Sequence, residues 1–192
     1  DPYHVPILHG SFSGTQFIDQ MGAIPDVTFE MAELGVKVTS LRPLEDGRTH
    51  RRVTMAALPT LRVVPSPRVT EFARVGSIGW VLPMDDTSFR IYTCGRTREK
   101  GSIVKQRSRL NGRLWEELND EEHQKFPGDY EAHTGQGDIA SHDGENLGQT
   151  DAGIVMLRRF LRKQLDAVAA GENPVGVSFD EDAPWVEFEA GN

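Results

Sequence analysis

The chain opens Asp1-Pro2-Tyr3-His4-Val5-Pro6-Ile7-Leu8-His9, two histidines five residues apart with an acid three residues ahead of the first. Neutral imidazole is the commonest protein ligand for a transition metal, and a pair this close needs a third ligand from elsewhere. Helix geometry sets the condition. At 3.6 residues per turn, positions i and i+5 lie roughly 140° apart, so His4 and His9 converge only across a widened, π-type turn. Pro6 has no backbone N–H to donate, which already interrupts a regular ladder between them. The competing account is a pair of ordinary half-buried histidines.

The third donor should be a carboxylate. Asp151, at the start of a long apolar-periodic stretch, is the first candidate, followed by Asp138 and then Asp143 and Glu145. An acid at a helix N-terminus is also stabilised by the macrodipole without any metal. His133 and His142 share the loop before Asp151 and read as solvent-exposed, while His50 and His123 receive no role. Cys94, the single cysteine, reads as a buried small residue rather than a redox centre.

These groups need a scaffold. Residues 10–25 are rich in Gly, Ser and Thr and read as a loop over the site. From Val27 to Leu44, apolar and polar residues alternate around Gly35, the pattern of half-buried antiparallel strands. Glu45-Asp46-Gly47-Arg48 is a hairpin signal. Strands are expected over 51–58 and 60–64, then an extended stretch over 69–82. A turn at Pro83–Asp86 leads into a strand over 87–94. Residues 97–113 read as an exposed connection, 114–124 as holding a short helix, and 127–149 as a long loop of the kind that is usually functional. Thr150 is the expected N-cap of the last helix. Ile154, Leu157, Leu161, Leu165 and Val168 form its apolar stripe, and Gly171 stops it. A tail with Trp185, Val186 and Phe188 is expected to add a last strand. The fold class is α+β, an antiparallel sheet with a long C-terminal helix.

Composition narrows the function. The 192 residues suit one domain with a sizeable core. A net charge of −8 makes nucleic acid and anionic membranes poor partners. No apolar run reaches the roughly 18 residues of a membrane span, and one cysteine fits a reducing cytoplasm.

Taken whole, the opening nonapeptide resembles the iron-ligand segment, Asp-x-x-His-x-x-x-x-His, of the Rieske non-haem iron oxygenases. Gly14-Thr15-Gln16-Phe17 and Trp80 to Thr87 are most similar to the phthalate dioxygenase and vanillate demethylase branch. Glu145-Asn146-Leu147-Gly148 before Asp151 resembles that family's approach to its carboxylate ligand, although Ser141-His142-Asp143 departs from the common pattern. The resemblance implies that His4, His9 and Asp151 hold a mononuclear Fe(II), and that Asp1 is the electron-transfer bridge to a Rieske cluster on a neighbouring subunit. It implies a helix-grip (START-like) catalytic domain over residues 1–192, incomplete at its opening strands. A [2Fe–2S] Rieske centre takes two Cys and two His, so it would belong to an upstream part absent from this chain. The activity implied is hydroxylation or O-demethylation of an aromatic, carboxylated compound with dioxygen, fed by a reductase or ferredoxin in a homo-oligomer of three or more chains. Arg42, Arg52 and Arg74 are candidates to meet the substrate carboxylate. Two rivals stand beside this reading: a helix-grip ligand-binding module without redox chemistry, and a 2-oxoglutarate-dependent oxygenase, whose His-x-Asp…His triad is not evident.

Overall fold

A computed structural model describes residues 2–8, 24–65, 77–95, 109–110, 113–125, 127–182 and 186–191. Its centre is one antiparallel six-stranded sheet in simple meander order. The strands are β1 (Asp26–Ala32), β2 (Gly35–Pro43), β3 (Thr49–Ala57), β4 (Leu61–Val64), β5 (Ser77–Pro83) and β6 (Phe89–Gly95). A second hairpin pairs β7 (Arg109–Leu110) with β8 (Arg113–Leu114). The short helices are α1 (His4–Ile7), α2 (Asp120–Lys125) and α3 (Asp129–Thr134), and the long one is α4 (Ala152–Ala169). Antiparallel sheet plus C-terminal helix is the α+β arrangement the patterning predicts.

Register decides what shares a face, because side chains alternate along a strand. Phe29 pairs with Val38, Ser40 with Arg52, and Arg42 with His50. Even-numbered residues of β2 and β3 therefore lie on one face together with Val27, Phe29 and Met31 of β1. The opposite face carries Val53, Met55, Ala57 and Val63, all buried. The segment 186–191 flanks it. Val53 and Gly191 exchange backbone hydrogen bonds of 2.8 and 3.2 Å, and Glu189 accepts from Lys37 Nζ at 3.1 Å and from Arg51 Nη2 at 3.0 Å. Among the described residues of the tail where a last strand was expected, this bridge is what pairs with the sheet; Trp185 lies outside the described residues.

Helix α4 packs on β1 and β2, but not through the expected stripe. Gly153 and Gln164 are buried, and Met156, Leu157, Phe160 and Ala167 half-buried, on one side. Ile154, Leu161, Leu165 and Val168 are exposed. The reason is local: a Cβ at position 153 would lie 2.6 Å from Phe29 Cε1. Glycine lets the ring lie against the helix backbone, and that close approach sets which face docks. The helix ends in a Schellman motif. Gly171 (φ +80°) donates to Val168, and Glu172 donates to the Ala167 carbonyl at 2.9 Å.

The start of α4 differs too. Thr150 does not cap it; residues Gln149–Asp151 form a one-turn 3-10 helix and α4 begins at Ala152. The expected loop over 127–149 contains α3 and a 3-10 turn at His142–Gly144. The helix expected over 114–124 is divided, with a 3-10 turn at Trp115–Glu117 before α2. The stretches expected over 10–23, 69–76 and 97–108 lie outside the described residues.

Candidate active site

Helix α1 carries the first histidine. Pro6 sits within it, the Leu8 N–H donates to the carbonyls of His4 and Val5, and the backbone at Leu8 is in a π-type turn. That widening is what an i, i+5 chelate demands. Asp1 and His9 themselves lie outside the described residues. His4 Nε2 is 3.8 Å from Asp129 Oδ1, at the opening of α3. Asp129 was not singled out in the sequence, where it falls in an aperiodic stretch.

Asp151 is half-buried and closes the 3-10 turn, its Oδ2 accepting from the Gly148 N–H at 2.9 Å. Two residues on, Gly153 lies against Phe29. Helix α1 lines a cleft with Ser40, Arg42, His50 and Arg52, which share a sheet face with Phe29. The turn bearing His4 and the helix start bearing Asp151 thus lie over one face of the sheet.

Glu145 is occupied elsewhere. Arg158 Nη1 and Nη2 donate to its two oxygens at 2.6 and 2.7 Å. These bonds hold the Glu145 carboxyl below the ordinary glutamate range and tie its loop to α4. Asp138, Asp143, His133 and His142 are exposed on the same stretch. His123 Nδ1 lies 2.7 Å from Glu131 Oε1, and Glu131 Oε2 accepts from the Gly128 N–H at 2.6 Å, which joins α2 to α3. Cys94, expected to be buried, is exposed on the edge strand β6, because nothing pairs beyond that strand among the described residues.

Two guanidiniums and an imidazole, those of Arg42, Arg52 and His50, converge beside α1. Arg42 and His50 are only 6% and 7% exposed. Arg52 donates from Nε and Nη2 to the Pro65 carbonyl at 3.2 and 2.8 Å. Burial, reinforced by the charge on Arg42, lowers the Arg52 guanidinium to about 10. His50 was given no role in the sequence. The signal was the Asp46-Gly47 hairpin, whose register sets Arg42 opposite His50 and Ser40 opposite Arg52. Arg74 lies outside the described residues.

No family model matches the chain. Two curated proteins do. It is 39% identical over all 192 residues to the phenoxybenzoate dioxygenase subunit alpha of Ectopseudomonas oleovorans, covering 46% of that protein. It is 27% identical over 201 aligned positions to the tert-butanol monooxygenase / tert-amyl alcohol desaturase oxygenase subunit of Aquincola tertiaricarbonis, covering 91% of this chain and 42% of that protein. The chain is a relative of oxygenase subunits. It spans about half the length of these relatives. Among the described residues of this oxygenase relative, no three His, Cys, Asp or Glu side chains gather as a metal group, and no helix is long and apolar enough to cross a membrane. Imidazole and carboxylate, the donors available at His4 and Asp151, suit a 2-His-1-carboxylate iron site.

Proposed function

We propose that this chain is the catalytic part of a Rieske-type non-haem iron oxygenase of the phthalate dioxygenase and vanillate demethylase branch, acting on a carboxylated aromatic compound. The observation that carries the reading is the 39% identity to a dioxygenase alpha subunit along the whole chain. The His4 turn and the Asp151 helix start, over one sheet face, support it.

In this reading His4, His9 and Asp151 hold Fe(II), which when bound activates dioxygen toward the substrate. The chain's own residues do the rest. A widened turn such as that at Leu8 is the geometry that an i, i+5 pair of imidazoles needs to share one metal. Glu145, clamped by Arg158, holds the loop that delivers Asp151. Asp1 is assigned the electron-transfer bridge, a role in which an acid fixes the tautomer of a ligating histidine. The [2Fe–2S] cluster belongs to a further domain of the full protein, a reductase or ferredoxin supplies its electrons, and a homo-oligomer brings cluster and iron together.

Elemental analysis tests the ligand set. His4→Ala and Asp151→Ala should each lose iron; full retention in either variant counts decisively against it. The same measurement separates an oxygenase from a metal-free ligand-binding module of similar shape. For Asp1, the Asp1→Asn variant of the full-length protein should keep iron and cluster while turnover collapses, and unchanged turnover would remove it from the electron path.

A further inference from the structure

We propose that the outer apolar stripe of α4 and the sheet beside it form a groove for the hydrocarbon part of an elongated aromatic ligand, with Leu161 the residue that sets how many rings are held. For the reaction at the near end of the groove this rests on the oxygenase reading; the groove itself is read from the fold.

Register and handedness together give the direction of that stripe. Ala32 and Gly35 flank the two-residue turn between β1 and β2. Hydrogen-bonded and open pairs alternate from there, so Phe29 and Val38 are an open pair. Seen from the α4 side with β1 running upward, an L-residue so placed has β2, and then β3 to β6, on its left. Helix α4 runs the same way as β1, because Gly153 lies on Phe29 and Gly176, just past the helix end, lies beside Leu34. In a right-handed helix of 3.6 residues per turn, Ile154, Leu161, Leu165 and Val168 are centred roughly 100° from the docked side of Gly153, Phe160 and Gln164. That rotation turns them to the left, over β3 and β4. Their faces are open, Leu161 being 39% and Leu165 61% exposed.

The floor beneath the stripe is low. One row of the ladder runs Val36, Ala56, Arg62, Gly79, on the face that carries Phe29. Arg62 lies across Gly79, where a Cβ would come 3.0 Å from its Nε and 3.5 Å from its Cγ, so the long side chain adds little height. A leucine wall over such a floor suits aromatic rings, which bury against the wall and stack on a guanidinium. Position along the helix supplies the gauge. At 1.5 Å per residue, Ile154 lies about 5 Å beyond Asp151 along the axis and Leu161 about 15 Å beyond it. A single ring held at the Asp151 end meets Ile154 and stops there; two rings in line reach Leu161.

Calorimetric titration with benzamide and biphenyl-4-carboxamide, two neutral ligands of one and two rings, tests the gauge. Leu161→Ala should weaken the two-ring ligand at least fivefold and the one-ring ligand by less than twofold, whereas Ile154→Ala should weaken both. Leu161→Trp, which fills the far end, should remove two-ring binding and spare the single ring. Equal effects of the Leu161 variants on both ligands, no effect on either, or no two-ring binding to the unaltered protein overturns the proposal. Sedimentation of the same variants covers the rival occupant: a shift of Leu161→Ala to a smaller assembly with two-ring affinity unchanged makes the stripe a contact between copies and overturns the groove. Should the variants fail to fold, the methyl shifts of Leu161 in the unaltered protein decide, moving with two rings and staying with one. Iron is measured on the same preparations. A ring-number effect without iron keeps the groove and removes the oxygenase reading, and iron without that effect does the reverse.

Discussion

The Phe29 ring lies against the backbone of α4 at Gly153, in the space a side chain there would fill. The contact joins β1 to the first turn of the helix, two residues from Asp151. Gly153→Ala gains helix propensity, worth about 1 kcal/mol, but forces ring and helix apart, and overpacking of this kind costs about 1–3 kcal/mol. Overlap should win, so the variant is expected to be less stable in chemical denaturation, and Phe29→Leu in the same chain should recover much of the loss. A more stable Gly153→Ala protein would show that the helix docks elsewhere.

Asp151 Oδ2 accepts the Gly148 N–H. Asparagine keeps that acceptor oxygen and drops the charge. Asp151→Asn should therefore hold its fold, judged by circular dichroism and thermal melting, yet lose iron. Loss of fold and iron together would mean the residue serves the helix start alone.

The Glu189 carboxyl lies below its ordinary range, first through its hydrogen bond from Lys37 and then through that from Arg51. A depressed folded pKa contributes stability that is complete above the unfolded value, about 4.3, and is lost as pH falls through the folded one. The protection factor of the Gly191 amide, its exchange rate taken relative to the intrinsic rate at each pH, should therefore be high near neutrality and fall in acid below that value, whereas in Glu189→Gln it should be lower and almost independent of this window. Salt should weaken the contact, since it is exposed.

Cys94 faces solvent on β6. One thiol per chain should be labelled by a water-soluble disulfide reagent under native conditions; labelling only after denaturant would show that another element covers the strand.

Much of the sheet was legible because its causes are local. Alternation over β1 and β2, the Asp46-Gly47 turn and the turn before Phe89 each announce themselves within a few residues. The docking face of α4 was not legible. The helix carries two apolar stripes, and the choice between them depends on Phe29, more than a hundred positions away in sequence. Burial of Cys94 failed for the same reason, since strand periodicity does not say which strand is last. At the candidate site, His4, His9, Asp1 and Asp151 were singled out by spacing together with the family resemblance, and Asp1 and His9 lie outside the described residues. The Arg42–His50 pair became visible only through strand register.

The clamp between Arg158 and Glu145 has a consequence for how this region can change in length. Thirteen positions separate the two residues, and their paired hydrogen bonds close that stretch into a ring that includes Asp151. A residue inserted inside the ring must break the clamp or drag the aspartate off its helix start. One inserted before it, between Gly135 and Ser141, lengthens an exposed connection and leaves the ring intact. Insertions and deletions should accordingly be accepted upstream of Glu145 and rejected between it and Arg158, a boundary that a library of single-residue insertions would map directly.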